Sequence, residues 1–155
     1  MWTSWDKTFS TMIEAPAEAL FALVTDLDHY DRWLPGSQAF GGITEISPLP
    51  VTLGTTYRDA GPAGVRQGEV TEFEPPRRVA FHQPMTVTKP LPGRVDIHLL
   101  QTFDERAGAT EVSRRLQLQV EGTLAVASPL VKASFHKENV RTLKALKEYA
   151  ERSSA

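Results

Sequence analysis

A chain of 155 residues is long enough for one domain with a sizeable core, and a net charge of -2 offers nothing to a polyanion. Its 41% hydrophobic and 23% charged residues are ordinary for a globular protein, and no apolar run approaches the roughly 18 residues of a membrane span. The absence of cysteine excludes disulfides and thiol chemistry. In chain order, the start Met1-Trp2-Thr3-Ser4-Trp5 lacks the basic and apolar regions of a signal peptide, so a cytoplasmic address is expected. Trp5 to Ala15 alternates as a strand, with Trp5, Phe9 and Ile13 in one phase. Pro16 then suits the first turn of a helix, and Glu18 to Val24 is short and amphipathic. A second short helix, Asp28 to Leu34, ends at Pro35-Gly36. These two are too small to form a core and are expected to plug one end of something larger.

From Gln38 onward the pattern changes to strands and turns. Phe40 to Ile46, Thr52 to Arg58, Val65 to Glu74, Arg77 to Gln83, Arg94 to Asp104 and Thr110 to Glu121 read as strands. Asp59 to Gly64, Pro75-Pro76 and Arg106 to Ala109 read as turns, and Pro84 to Gly93, with three prolines, as a loop. The alternation is clearest in the last strand. Val112, Leu116, Leu118 and Val120 share one face, while Glu111, Ser113, Arg115, Gln117, Gln119 and Glu121 share the other. Thr123 to Arg152 is helical. Ser128-Pro129 marks an N-cap and first turn, with Thr123 to Ala127 a preceding turn at an angle. Val131, Phe135, Leu143, Leu146, Tyr149 and Ala150 form its apolar stripe, into which Asn139 and Thr142 intrude. About 23 residues at 1.5 Å each span roughly 35 Å, so this helix must lie across a large apolar surface. The only such surface is the dry face of an antiparallel meander, and a curved sheet gripping one helix leaves room for a cavity.

This order resembles the START-like helix-grip superfamily, which includes polyketide cyclase/dehydrase-like, lipid-transfer and birch pollen allergen-like proteins. The stretches that carry the resemblance are Ala15-Pro-Ala-Glu-Ala-Leu-Phe-Ala-Leu-Val-Thr-Asp, Tyr30-Asp-Arg-Trp-Leu-Pro, Gly108-Ala-Thr-Glu-Val and Leu143-Lys-Ala-Leu-Lys-Glu-Tyr-Ala-Glu. It covers nearly the whole chain, taken as one domain from 1 to 155. It implies an α+β helix-grip fold, in which a curved seven-stranded antiparallel sheet wraps a long C-terminal helix, with two short helices between strands 1 and 2. It further implies that a small hydrophobic molecule (a lipid, quinone or polyketide-like compound) is bound or carried in the cavity, by a monomer or weak homodimer. In such proteins the pocket mouth is bordered by loops that here match Asp59 to Gly64 and Pro84 to Gly93, which are otherwise plain hairpin connections. The alternatives are a polyketide cyclase, aromatase or dehydratase using acid–base chemistry in the same cavity, and a chaperone-regulating interaction module, which would need an exposed apolar patch.

The residues themselves exclude several chemistries. There is no Gly-x-Ser-x-Gly, no assembled Ser-His-Asp set and no phosphate-cradling glycine loop, so no cofactor and no nucleic acid are expected. Asp96, His98 and His82 fall in wet phases and read as solvated side chains, so no metal site is expected. The signal lies in polar residues that fall in dry phases. Arg114 lies in phase with Val112 and Leu116, Gln101 with Leu99 and Phe103, and Gln67 and Glu69 with Val65 and Phe73. Val70 makes that last register uncertain, and a bulge would resolve it. A buried guanidinium needs a partner, and Glu69 is the candidate. Three readings of Arg114 stand open: a side chain reaching water near a strand end, a purely structural pair, or an anchor for an acidic or carbonyl-bearing ligand. The expected ligand-binding set is Trp33, Tyr57, Glu69, Phe81, Leu99, Gln101, Phe103, Arg114, Leu118, Phe135, Asn139 and Thr142, with Tyr57, Glu69 and Arg114 the candidates for catalysis. For Trp33, plain packing of the plug competes with pocket lining.

Overall fold

In the computed structural model, residues 2–36 and 41–153 are described. Strand β1 (Trp2–Ile13) is followed by helix α1 (Ala17–Thr25) and a 3-10 helix (Leu27–Arg32). The meander comprises β2 (Ile43–Ser47), β3 (Thr56–Gly61), β4 (Gly64–Glu74), β5 (Arg78–His82), β6 (Met85–Val87), β7 (Gly93–Arg106) and β8 (Ala109–Glu121). A 3-10 turn (Thr123–Ala127) leads into α2 (Ser128–Ser153), the long closing helix. The sheet order is β1-β8-β7-β5-β4-β3-β2, all antiparallel. Segments β5 and β6 both pair with β4 and β7, so they are two halves of one strand position interrupted at Gln83-Pro84. The sheet therefore has seven strand positions, and the fold is the helix-grip α+β arrangement.

The long ladders come from strict alternation. β1 pairs with β8 over its whole length, and β8 pairs with β7 through the hairpin at Ala107-Gly108. Both turn residues have left-handed φ, 56° and 85°, as a two-residue turn between right-twisted strands requires. The inner phases of β7 and β8 are buried: Val95, Ile97, Leu99 and Phe103 on one, Val112, Leu116, Leu118 and Val120 on the other. Of α2, Leu143, Leu146 and Ala150 are buried against this face, while Val131 and Phe135 are only half-buried. The far end of α2 is tied to the end of β1. Lys147 Nζ donates to Met12 O at 2.7 Å, and the Glu14 N–H donates to Glu151 Oε2 at 3.0 Å.

Four expectations need correction. The strand expected over Thr52 to Arg58 runs instead from Thr56 to Gly61, because Asp59 and Ala60 stay in the ladder and only Pro62-Ala63 turn. The loop expected over Pro84 to Gly93 contains β6, since Pro84 breaks the strand without ending the sheet. Of the strand expected from Phe40, Phe40 lies outside the described residues, and β2 begins at Ile43. Ser128 is not an extended N-cap. Its backbone is helical and its hydroxyl donates back to Ala125 O at 2.6 Å.

Register decides a fifth. The ladder slips between Val70 and Glu72, leaving Thr71 as the extra residue of a bulge. Counting inward from Phe73 therefore gives the wrong face for everything before the bulge. Gly64, Gly68 and Val70 are buried, whereas Gln67 and Glu69 are exposed. Glu69 thus stands on the outer face opposite His82 and does not meet Arg114.

Candidate ligand cavity

An inner chamber of about 70 Å³ lies between the sheet and the first half of α2. Its floor is Arg114. The ladder sets Gln101 directly beside it on β7, and Phe9 on its other side on β1. Arg114 NH1 donates to Gln101 Oε1, and Nε donates to Asn139 Oδ1 from the helix above, each at 3.0 Å. Asn139 is oriented by its own amide, whose Nδ2 donates to Phe135 O at 2.8 Å and so leaves the oxygen to face the guanidinium. Thr142 is held likewise, its hydroxyl donating to Glu138 O at 2.8 Å. Burial pulls the Arg114 pKa down, against the raising effect of nearby Tyr30. A guanidinium nevertheless stays charged in proteins. Gln101 Nε2 is buried without a full hydrogen bond, although Gln101 acts on the Tyr30 phenol as a hydrogen-bonding neighbour.

Two phenols face the same space. Tyr57 sits opposite Gly68 in the β3–β4 ladder, and its ring lies across that glycine, where a Cβ would come within 2.2 Å of Cζ. Its hydroxyl accepts from Gln83 Nε2 at 2.5 Å. Burial pushes both phenols, Tyr30 and Tyr57, up from their ordinary values, so both keep their protons at neutral pH and can donate. Asp59 and Arg66 form a direct cross-strand pair at 3.3 Å. Asp59 Oδ1 also accepts the Gly41 and Gly42 N–H groups at 3.2 Å. Burial nevertheless raises the Asp59 pKa, with Arg66 and the two N–H groups working against it. The four charged residues lining the chamber, Asp59, Arg66, Arg114 and Glu138, sum to zero, but they do not pair among themselves one to one. Asp59 pairs with Arg66 and Glu138 with Arg141, while no salt bridge reaches Arg114 among the described residues.

A second, outer chamber of about 150 Å³ opens beyond the first and is nearly all apolar, with Met85, Val87, Val95, Leu124 and Leu130 in its walls. Arg66, Phe135 and Glu138 line both chambers and form the partition. The Arg66 guanidinium sits 5.8 Å from the Phe135 ring centroid, a cation–π contact across that partition. The outer rim is built by Ala63, Lys89 and Pro90, from the two loops matched to a pocket mouth. The Thr88 N–H donates to Ala63 O at 3.0 Å, so the two loops are tied together.

Of the residues expected at the site, Tyr57, Phe81, Leu99, Arg114, Phe135, Asn139 and Thr142 line the inner chamber. Gln101 lies behind Arg114 and supports it. Trp33 is buried as plug packing, its indole N–H donating to Leu23 O at 3.3 Å and its ring against Tyr30. Phe103 packs on Phe21 at the far end of the sheet, and Leu118 is buried in the core outside either chamber. Asp59, Arg66, Gln83 and Glu138 line the chamber without having been expected there. His82, Asp96 and His98, expected as separate solvated side chains, stand together on the outer face of the sheet.

A family model described as "Polyketide cyclase / dehydrase and lipid transport" matches residues 5–151. Among solved structures, the Zhui aromatase/cyclase from Streptomyces sp. R1128 superimposes with a TM-score of 0.79 at 17% identity, covering 99% of this chain and 97% of that one. A START superfamily protein from Mycobacterium smegmatis gives 0.69 at 15% identity, covering 95% and 97%. The Aha1 dimer from Colwellia psychrerythraea gives 0.62 at 16%, covering 95% and 96%. At such identities these neighbours speak to the fold. No curated protein matches the chain.

Proposed function

The chain belongs to the polyketide cyclase / dehydrase and lipid transport family, and on that premise we propose that it binds a small, flat, largely apolar molecule bearing one acidic or carbonyl oxygen. The observation that carries this reading is Arg114. It is a buried cation held by two neutral amides, and no carboxylate lies within salt-bridge distance of it among the described residues. An arrangement serving stability alone would supply a carboxylate, since an uncompensated buried charge is costly. An anionic or strongly polar ligand oxygen would fill that role, with the Tyr30 and Tyr57 hydroxyls as further donors. The rings of such a ligand would extend past Phe135 toward the apolar outer chamber.

The test uses 1-naphthoate and its neutral amide as paired probes in calorimetric titration. Arg114→Met keeps an unbranched apolar stem and removes the charge. It should weaken naphthoate binding about 10- to 100-fold, the worth of a charge-assisted hydrogen bond, and affect the amide less. Equal affinity of wild type and variant for naphthoate would sink the anchor.

A second reading, acid–base catalysis of a cyclisation, is favoured by Asp59, a buried carboxyl with a raised pKa facing the same chamber as two phenols. Its test is chemical. A linear poly-β-ketone incubated with the protein must cyclise with loss of water faster than in buffer, and cyclisation at the buffer rate defeats this reading.

A further inference from the structure

The outer face of the sheet carries a cluster that the cavity does not use. His82 on β5 is the cross-strand partner of His98 on β7, and Asp96 lies two residues before His98 on the same face. The two imidazoles stack with centroids 4.3 Å apart and planes 9° from parallel. Both turn Nε2 toward one carboxylate: His82 Nε2 is 2.5 Å from Asp96 Oδ1, and His98 Nε2 is 3.4 Å from Asp96 Oδ2. One donor atom from each of the three residues falls within 4.8 Å of the others. We propose that His82, Asp96 and His98 form a surface binding site for a divalent late first-row transition-metal ion, of the zinc, cobalt or nickel kind.

The geometry suits this ion class. With metal–ligand bonds of about 2.0–2.2 Å, tetrahedral ligands sit roughly 3.3 Å apart. The observed separations lie on either side of that value, so small side-chain rotations bring the three donors into place. All three stand on adjacent paired strands, a rigid support that fixes their spacing before any ion arrives. Two imidazoles and one carboxylate favour late transition ions, whereas magnesium and calcium prefer all-oxygen sets. In chemical balance, the ion displaces any proton from each Nε2, leaves each ring its remaining proton on Nδ1, and binds one carboxylate oxygen. Three protein ligands leave the remaining positions to water, since the face is open. Alternation along β5 and β7 points these side chains away from Phe81 and Leu99, so this site and the cavity lie on opposite faces.

The experiment titrates chelator-treated, dialysed full-length protein with Co²⁺, read by visible absorption, and with Zn²⁺, read by calorimetry. The expected result is one equivalent bound in the micromolar range, weakened at least tenfold in each of His82→Ala, His98→Ala and Asp96→Asn. These side chains are half-buried or exposed, so the variants should fold, and naphthoate binding should not change. Wild-type binding no tighter than millimolar, or affinity retained in any one of the three variants, overturns the site. A measurement on the wild type alone decides as well. On adding Zn²⁺, the imidazole proton resonances of His82 and His98 should shift, while those of His29 and His136 stay in place. Shifts confined to His29, which has Asp26 and Asp28 beside it, overturn the proposal.

Discussion

Asp59 shows two opposing effects whose balance can be measured. Burial is the largest influence on its carboxyl and outweighs Arg66 and the two glycine N–H groups, so its pKa in the folded chain is raised. The sign then follows. A raised folded-state value means that the stability contributed by Asp59 is fully present below its ordinary pKa and is lost as pH rises through the folded value. Asp59→Asn fixes this residue in a neutral form, so the variant should gain ground on the wild type in urea unfolding as pH rises above the ordinary aspartate value of about 4. A variant that loses ground over that range would mean that the Arg66 pairing dominates. Asp59 and Arg66 were hidden in the sequence for different reasons. Asp59 lies among glycines, alanine and proline that read as a turn, and Arg66 precedes the Thr71 bulge, which reverses phase counting from Phe73. Arg114 was legible because nothing interrupts the alternation of β8 on either side of it.

Among the elements, α2 carries two jobs on one stripe. Its second half is a core element: Leu146 is 1% exposed, and Leu143 and Ala150 are buried beside it. Its first half faces the chambers, and Val131 and Phe135 are only partly covered. Leu146→Ala should therefore destabilise the fold by about 2–5 kcal/mol, measured by urea denaturation, because the surrounding sheet cannot collapse into the space left. A loss below about 1 kcal/mol would mean that the helix is not anchored there. The helix was legible from its 3.6-residue stripe, polar intrusions included, but its start was not, since Ser128 is helical and does not cap it. The segment that escaped, β6, is three residues long and lies among prolines, and local pattern cannot distinguish a strand resuming its ladder from a loop. What restores the pairing is tertiary, since β4 and β7 hold β6 on both sides.

For the whole molecule, the partition formed by Arg66, Phe135 and Glu138 sets how large an occupant can be. The outer chamber, at about 150 Å³, is of the size that holds a benzene ring, and the inner one is smaller. Each is below the ordinary range for ligand pockets, roughly 300–1,000 Å³, so a larger guest must displace the Phe135 ring or use both spaces. Phe135→Ala joins the chambers. It should raise the affinity for a three-ring aromatic carboxylate relative to naphthoate by about tenfold in parallel titrations, at a modest stability cost because this ring is only half-buried. An unchanged ratio would show that occupants do not cross the partition.

The order of the chain has a consequence for synthesis. The sheet is complete at Glu121, before any residue of α2 has been made. Until α2 docks, the part of the inner face of β7 and β8 that α1 does not cover stands bare, and Arg114 lacks its partner on Asn139. A chain made only to Glu121 therefore leaves exposed the apolar surface that α2 covers, with Arg114 within it. Such exposed intermediates are prone to aggregation, and this one ends only when the last helix closes the clamp between Met12, Glu14, Lys147 and Glu151.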